Sequence, residues 1–148
     1  MQKLHFPQPD LRLRSVSDSF QVWDVVRKKW VALTPEEWVR QHLIHFLQDH
    51  RGWPHSLMAI EKNIKFNGLS RRPDVVVYNS DMKPMLLAEC KAPDVAINQS
   101  VLDQAVMYNR ALGVSHVLVT NGLHTSCCLM QPERSEIQWL DDVPFATQ

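Results

Sequence analysis

The residues best suited to chemistry gather in two short strings, Pro73-Asp74 and Glu89-Cys90-Lys91, each at the end of an apolar run, Val75-Val76-Val77-Tyr78 and Met85-Leu86-Leu87-Ala88. Charged side chains in such places are costly unless they pair with each other or coordinate something. With a hairpin loop over Ser80–Lys83, Asn79 faces Pro84. The same count sets Asp74 across from Glu89, at the roughly 5 Å that separates cross-strand neighbours. Two carboxylates at that range repel unless a cation lies between them. Strand alternation puts Glu89 and Lys91 on one face and Cys90 on the other, so acid, acid and lysine are expected to line a single pocket. Hard oxygen ligands for Mg²⁺ beside a lysine that orients or deprotonates a water are what metal-assisted phosphodiester hydrolysis needs. The bland alternative is a salt-bridged Asp-Lys-Glu cluster without catalysis.

The elements that must hold these residues are readable around them. Residues 1–19 lack a clear period and predict an irregular, loosely packed arm. Phe20–Val26 and Trp30–Leu33 predict a hairpin about the polar turn Arg27-Lys28-Lys29, whose charges are expected to be solvated. Thr34-Pro35-Glu36-Glu37 is a helix start with a hydroxyl cap, proline at the first helical position and a Thr34/Glu37 capping box, and it opens a helix over about 35–50. On that helix Glu36 projects between Leu43 and Leu47, on the side that must pack inward, while Glu37 lies at the border toward Gln41 and Ile44. An intrahelical pair with Arg40 would account for Glu36 without function. Residues 57–67 predict a strand, 68–72 a turn, 73–78 and 85–91 two buried strands, and 97–112 a helix stopped by Gly113. Strands over 114–120 and 127–130, joined at Asn121-Gly122, and an edge strand over 137–140 complete an α/β sandwich around a mixed sheet.

Composition narrows the field. The 148 residues carry 16 Lys+Arg against 16 Asp+Glu and are 45% hydrophobic, which suits one folded domain rather than a disordered chain or an indiscriminate polycation. No apolar run approaches the roughly 20 residues of a membrane helix. Met1 to Asp10 lacks the pattern of a signal peptide, and three cysteines make no disulfide framework, so the expectation is a cytoplasmic protein with reduced thiols and no membrane partner. Four glycines, at 52, 68, 113 and 122, form no phosphate-binding loop, which leaves no nucleotide cofactor. His42 and His45 lack a third metal ligand and read as a polar helix face. Cys127-Cys128 cannot chelate from alternate sides of a strand, and the five tryptophans read mainly as core or rim packing.

Pro73-Asp74 with Glu89-Cys90-Lys91 resembles the PD-(D/E)xK nuclease signature. Together with Leu33 to Gln41, Asn67-Gly68, Arg71-Arg72, Ala92-Pro93, Asp103-Gln104 and Tyr108-Asn109, it resembles the N-terminal nuclease domain of type I restriction enzyme R proteins over about residues 20–125. The resemblance implies a restriction-endonuclease-like mixed sheet flanked by helices over 20–148, and Mg²⁺-dependent DNA endonuclease activity in which Mn²⁺ can substitute. It implies metal ligation by Asp74, Glu89 and the backbone carbonyl of Cys90, and water activation by Lys91. Gln104 and Tyr108, one helical turn apart, belong to such active sites. An acid on the first core helix is also implied; Glu36 is the first choice and Glu37 the second. Arg71 and Arg72 are expected to contact the DNA backbone. Full R proteins carry an ATP-dependent motor whose motifs are not in this sequence, so the expectation is a cutting module acting alone, as a homo-oligomer, or beside separately encoded subunits. A catalytically silent nucleic-acid-binding or assembly module of the same fold, and a protein-interaction domain, are the alternatives.

Overall fold

The computed structural model describes residues 1–66, 68–110, 112–131 and 136–146. Its first helix, α1 (Pro35–Arg51), begins where the sequence predicts. The Thr34 hydroxyl accepts the Glu37 amide N–H at 3.0 Å. It ends at Gly52, whose left-handed φ of 78° lets its amide reach back to the carbonyls of Gln48 and Leu47. The capping box is one-sided, because the Glu37 side chain turns away to two arginines instead of returning to the cap.

Three strands precede the helix. β1 (Leu13–Val16), β2 (Ser19–Asp24) and β3 (Lys29–Ala32) form a small antiparallel sheet. β1 stands where an irregular arm is predicted. Its two-residue connection to β2 is Ser17-Asp18, with φ of 44° and 62°, a primed turn made without the glycine that normally announces one. The segment before it is not loose either: Leu4 and Phe6 are buried in the main core.

The central sheet has six strands in the order β11-β10-β9-β8-β7-β4. In chain order these are β4 (Met58–Ile60), β7 (Val75–Tyr78), β8 (Pro84–Cys90), β9 (His116–Thr120), β10 (Thr125–Met130) and β11 (Ile137–Leu140). The β8–β9 pair is parallel, spanned by α2 (Gln99–Arg110), and the other pairs are antiparallel, so the sheet is mixed and flanked by helices as expected. The strand predicted over 57–67 splits at Glu61, whose φ of 52° breaks it. After the break, β5 (Ile64–Phe66) pairs with β6 (Leu69–Arg71) in a separate hairpin where a plain turn is predicted. Asn67 lies outside the described residues.

Alternation along the strands makes two cores. Val75, Val77, Leu86, Ala88, Cys90, Leu118 and Cys127 pack with Val39, Leu43, Ile44 and Leu47 of α1. On the opposite face Val117, Val119 and Cys128 pack with Ala105 and Val106 of α2. Leu43, Ile44 and Leu47 are fully buried, each contributing roughly 1.5–3 kcal/mol. Cys127 and Cys128 therefore point to opposite faces, and no disulfide links any of the three cysteines. Among the described residues no helix is long and apolar enough to cross a membrane.

Candidate active site

β7 and β8 pair Val75 with Ala88, Val76 with Leu87 and Val77 with Leu86. Continued by one residue, this register sets Asp74 against Glu89, as counted from the sequence. The turn end differs. Tyr78, not Asn79, faces Pro84, and Met85 is the extra residue of a bulge between Val77 and Tyr78. At the other end the Cys90 amide donates to Asp74 Oδ2 at 2.7 Å and pins this alignment, while the Lys91 amide ties the end of β8 to β9 by donating to the Thr120 carbonyl at 2.8 Å.

Glu89 and Lys91 leave β8 on the α2 side, while the Cys90 side chain is buried on the α1 side. Together with Gln104, Tyr108, Val101 and Asn109 they line a cleft of about 200 Å³. Gln104 Nε2 donates to the Tyr108 hydroxyl at 3.2 Å, so the two helix residues act as one polar wall. Arg71 packs on Tyr108 of that wall: its guanidinium carbon lies 4.8 Å from the Tyr108 ring centre and its Nε donates to the Tyr108 carbonyl at 3.2 Å. Arg72 donates instead to the Glu61 carbonyl at 2.9 Å.

Asp74 does not simply join that pocket. Its Oδ1 accepts from Arg40 Nη1 at 3.4 Å, and Arg40 belongs to a network that sequence reasoning missed. Arg40 clasps Glu37 through two hydrogen bonds of 2.9 Å, and Arg27 bridges Glu37 at 2.7 Å and Asp24 at 2.6 Å. Gln41 donates to both Asp24 and Glu37. Glu61 Oε1 lies 3.4 Å from Arg40. The one signal available was the spacing of Glu37 and Arg40; nothing marked Glu61.

This network reverses the reading of the helix acids. Glu37 is 5% exposed and Glu36 is exposed. The helix side facing inward at this end is polar because the β2–β3 turn packs on it with Asp24 and Arg27. Arg27 is accordingly no solvated turn residue. His42 is also buried, its Nδ1 bonded to the Trp38 carbonyl at 2.8 Å, and does not belong to a polar face. Glu36 nonetheless senses the candidate site: partial burial, then the charge of Asp74, push its carboxyl up, against the pull of Arg40 and Lys91.

Electrostatics separate the two glutamates that matter most. Burial alone would raise Glu37, but hydrogen bonds from Arg40 and Arg27 outweigh it and hold the carboxyl below its ordinary range. Glu89 is pushed up to about 8, first by burial, then by the charge of Asp74 and a shared hydrogen bond with it, with Lys91 in opposition. Among the described residues no cation pairs directly with Glu89, so a divalent ion between Glu89 and Asp74 would relieve their repulsion. No three His, Cys, Asp or Glu side chains converge into a cage among those residues. Two neighbouring carboxylates, Asp74 and Glu89, are a donor set that fits Mg²⁺, which is commonly held by one or two carboxylates with water and substrate oxygens.

A family model described as type I restriction enzyme R protein N terminus (HSDR_N) matches residues 35–144. No curated protein matches the chain. Among solved structures, a fragment assigned as an HsdR subunit of a type I restriction enzyme from Vibrio vulnificus YJ016 is similar, with a TM-score of 0.53 and 21% identity. The match covers 76% of this chain and 24% of that one, so this chain spans about a quarter of the solved fragment, and the likeness is one of fold.

Proposed function

The chain belongs to the family of type I restriction enzyme R protein N termini, and from that premise we propose that it is a Mg²⁺-dependent DNA endonuclease module with a PD-(D/E)xK site. The observation that carries this reading is the alignment of Asp74 with Glu89 over neighbouring strands, with Lys91 beside Glu89 in a cleft walled by Gln104 and Tyr108.

Asp74 and Glu89 are the residues to hold Mg²⁺, helped by the Cys90 carbonyl and, at the rim, by Glu36; Mn²⁺ would serve in its place. The bound ion would polarise the scissile phosphoryl group and lower the pKa of a water. Lys91 orients the attacking water and screens the phosphate as the ammonium, or takes the proton of that water as the free amine. Gln104 and Tyr108 position Lys91 and the phosphate, while Arg71 and Arg72 hold the backbone without reading bases. Such a module would work in the cytoplasm on DNA, as a homo-oligomer or beside separately encoded restriction subunits.

The test is incubation of the purified protein with plasmid and linear DNA in Mg²⁺ or Mn²⁺, alongside Asp74→Ala. Nicking or cutting that needs the metal and disappears in a folded Asp74→Ala protein is the expected result. Equal product from both proteins would remove the assignment.

A silent DNA-binding or assembly module is favoured by one specific observation: Arg40 and the Cys90 amide already occupy the two oxygens of Asp74. That reading gives DNA affinity that falls with salt and no product with either metal.

A further inference from the structure

The three-stranded sheet ahead of α1 lies outside the family-matched residues, and the mechanism above uses none of its outer face. Its inner face is committed to the body, with Val22 and Asp24 fully buried. The register puts Arg14 beside Gln21, and Trp23 beside Trp30, all on the other side. There the two indoles meet edge to face, with ring centres 5.6 Å apart. The Arg14 guanidinium carbon stands 4.3 Å from the Trp30 ring centre, and that of Arg12 stands 5.3 Å from Trp23 and 5.5 Å from Trp30.

Stacking spends the apolar face of a guanidinium and leaves its N–H edge for an anion. Arg14 uses only Nε internally, on Gln21 at 2.8 Å. Neither arginine forms an ion pair among the described residues, whereas Arg27, Arg40, Arg51 and Arg72 all do. Charge is one-sided as well. Residues 11–33 hold five cations, Arg12, Arg14, Arg27, Lys28 and Lys29, against Asp18 and the buried Asp24. The turn between β2 and β3 ties this sheet to the candidate site, because Arg27 grips Asp24 on one side and Glu37 of α1 on the other.

We propose that this outer face is a second contact for the phosphate backbone of duplex DNA, with Arg12 and Arg14 held by Trp23 and Trp30 to meet consecutive phosphates on DNA engaged at the cleft. The assignment rests on the reading of the chain as DNA-directed. Stacking fixes side chains that would otherwise lose freedom on binding, and the ion-paired turn fixes the offset between these arginines and Asp74.

The experiment measures binding of a fluorescent duplex oligonucleotide by anisotropy without divalent metal, over a series of salt concentrations, with plasmid cleavage in Mg²⁺ run in parallel. The proteins are the full chain, Lys91→Ala, the double variant Arg12→Gln/Arg14→Gln, and Arg12→Lys/Arg14→Lys. The glutamine pair is expected to weaken binding on the order of tenfold and to lower the salt slope by about two, one for each phosphate that an arginine no longer neutralises. The lysine pair keeps the slope but gives up part of the affinity, which also covers the case of a glutamine pair that does not fold. Lys91→Ala loses cleavage and, through the one phosphate contact it gives up, lowers the slope by no more than about one, half the loss of the glutamine pair. Undiminished affinity and slope in the glutamine pair, or no duplex binding by the full chain, overturns the proposal. Arginine-dependent binding without any cleavage would sink the nuclease reading and leave this one standing.

Discussion

Glu37 and Glu89 sit on opposite sides of one sheet, the first buried and the second half-buried, and the protein treats them in opposite ways. Glu37 is gripped by Arg27 and Arg40 with four hydrogen bonds of 3.2 Å or less once Gln41 is included. Glu89 has Asp74 for a neighbour and Lys91 only as a weaker counterweight. Buried charge that is matched in place is architecture. Buried charge left unmatched costs stability, and such sites are where perturbed groups with a task are found. On the proposed reading, the Glu37 network serves construction and the cleft at Glu89 serves chemistry.

The largest effect should come from the unmatched side. Lys91→Ala is expected to slow metal-dependent cleavage by about 10²–10⁴-fold, the range for losing a positioned proton-transfer group, with little change in folding. Initial rates of plasmid nicking measure it, and a rate within a factor of a few of wild type would erase the contrast. On the matched side, Arg40→Ala should destabilise the fold by about 3–5 kcal/mol, because Glu37 would remain buried without one of its two cations. Urea unfolding measures this, and a loss below about 1 kcal/mol would mean that the network is ornamental.

The two glutamates should also carry opposite pH signatures. Glu89 titrates higher in the folded chain than in the unfolded one. Its contribution is therefore full below the ordinary glutamate range and drains away as pH rises toward about 8. Glu37 titrates lower when folded, so its contribution is present above the ordinary range and is lost as pH falls through the folded value. Thermal melts of metal-free protein should show Glu89→Gln gaining on wild type between pH 5 and about 8. Added Mg²⁺ should restore wild type most at the alkaline end and leave the variant unmoved. Parallel melts of the two proteins across that span would contradict the account. The smallest effect sharpens the comparison: Thr34→Ala removes the α1 cap and should cost about 1 kcal/mol by urea unfolding, without altering the metal dependence of the melts.

Periodicity and local chemistry recover the parts of this molecule that depend on neighbours in sequence. The start of α1 and the separation of Cys90 from Glu89 and Lys91 follow from counting along one or two elements. The pairing of Asp74 with Glu89 survives a turn counted one residue off because the bulge absorbs the difference. Gln104 with Tyr108 come from the family resemblance, helical spacing adding only that they share a face. Counting fails where a third element intervenes. A helical wheel drawn on α1 alone sends Glu36 inward, because it weighs only that helix's apolar residues. The polar packing surface supplied by Asp24 and Arg27 is what draws Glu37 in. Backbone devices without glycine were equally silent: Ser17-Asp18 turns a strand out of a presumed arm, and Glu61 cuts one strand into two.

The bulge at Met85 has a mechanical consequence. Because the acid end of the β7–β8 hairpin is clamped by the bond from the Cys90 amide to Asp74 while the turn end carries one spare residue, slack at the tip need not travel down the ladder. The Ser80–Lys83 tip is thus a natural port for an inserted tag or probe, with the carboxylates upstream keeping their alignment.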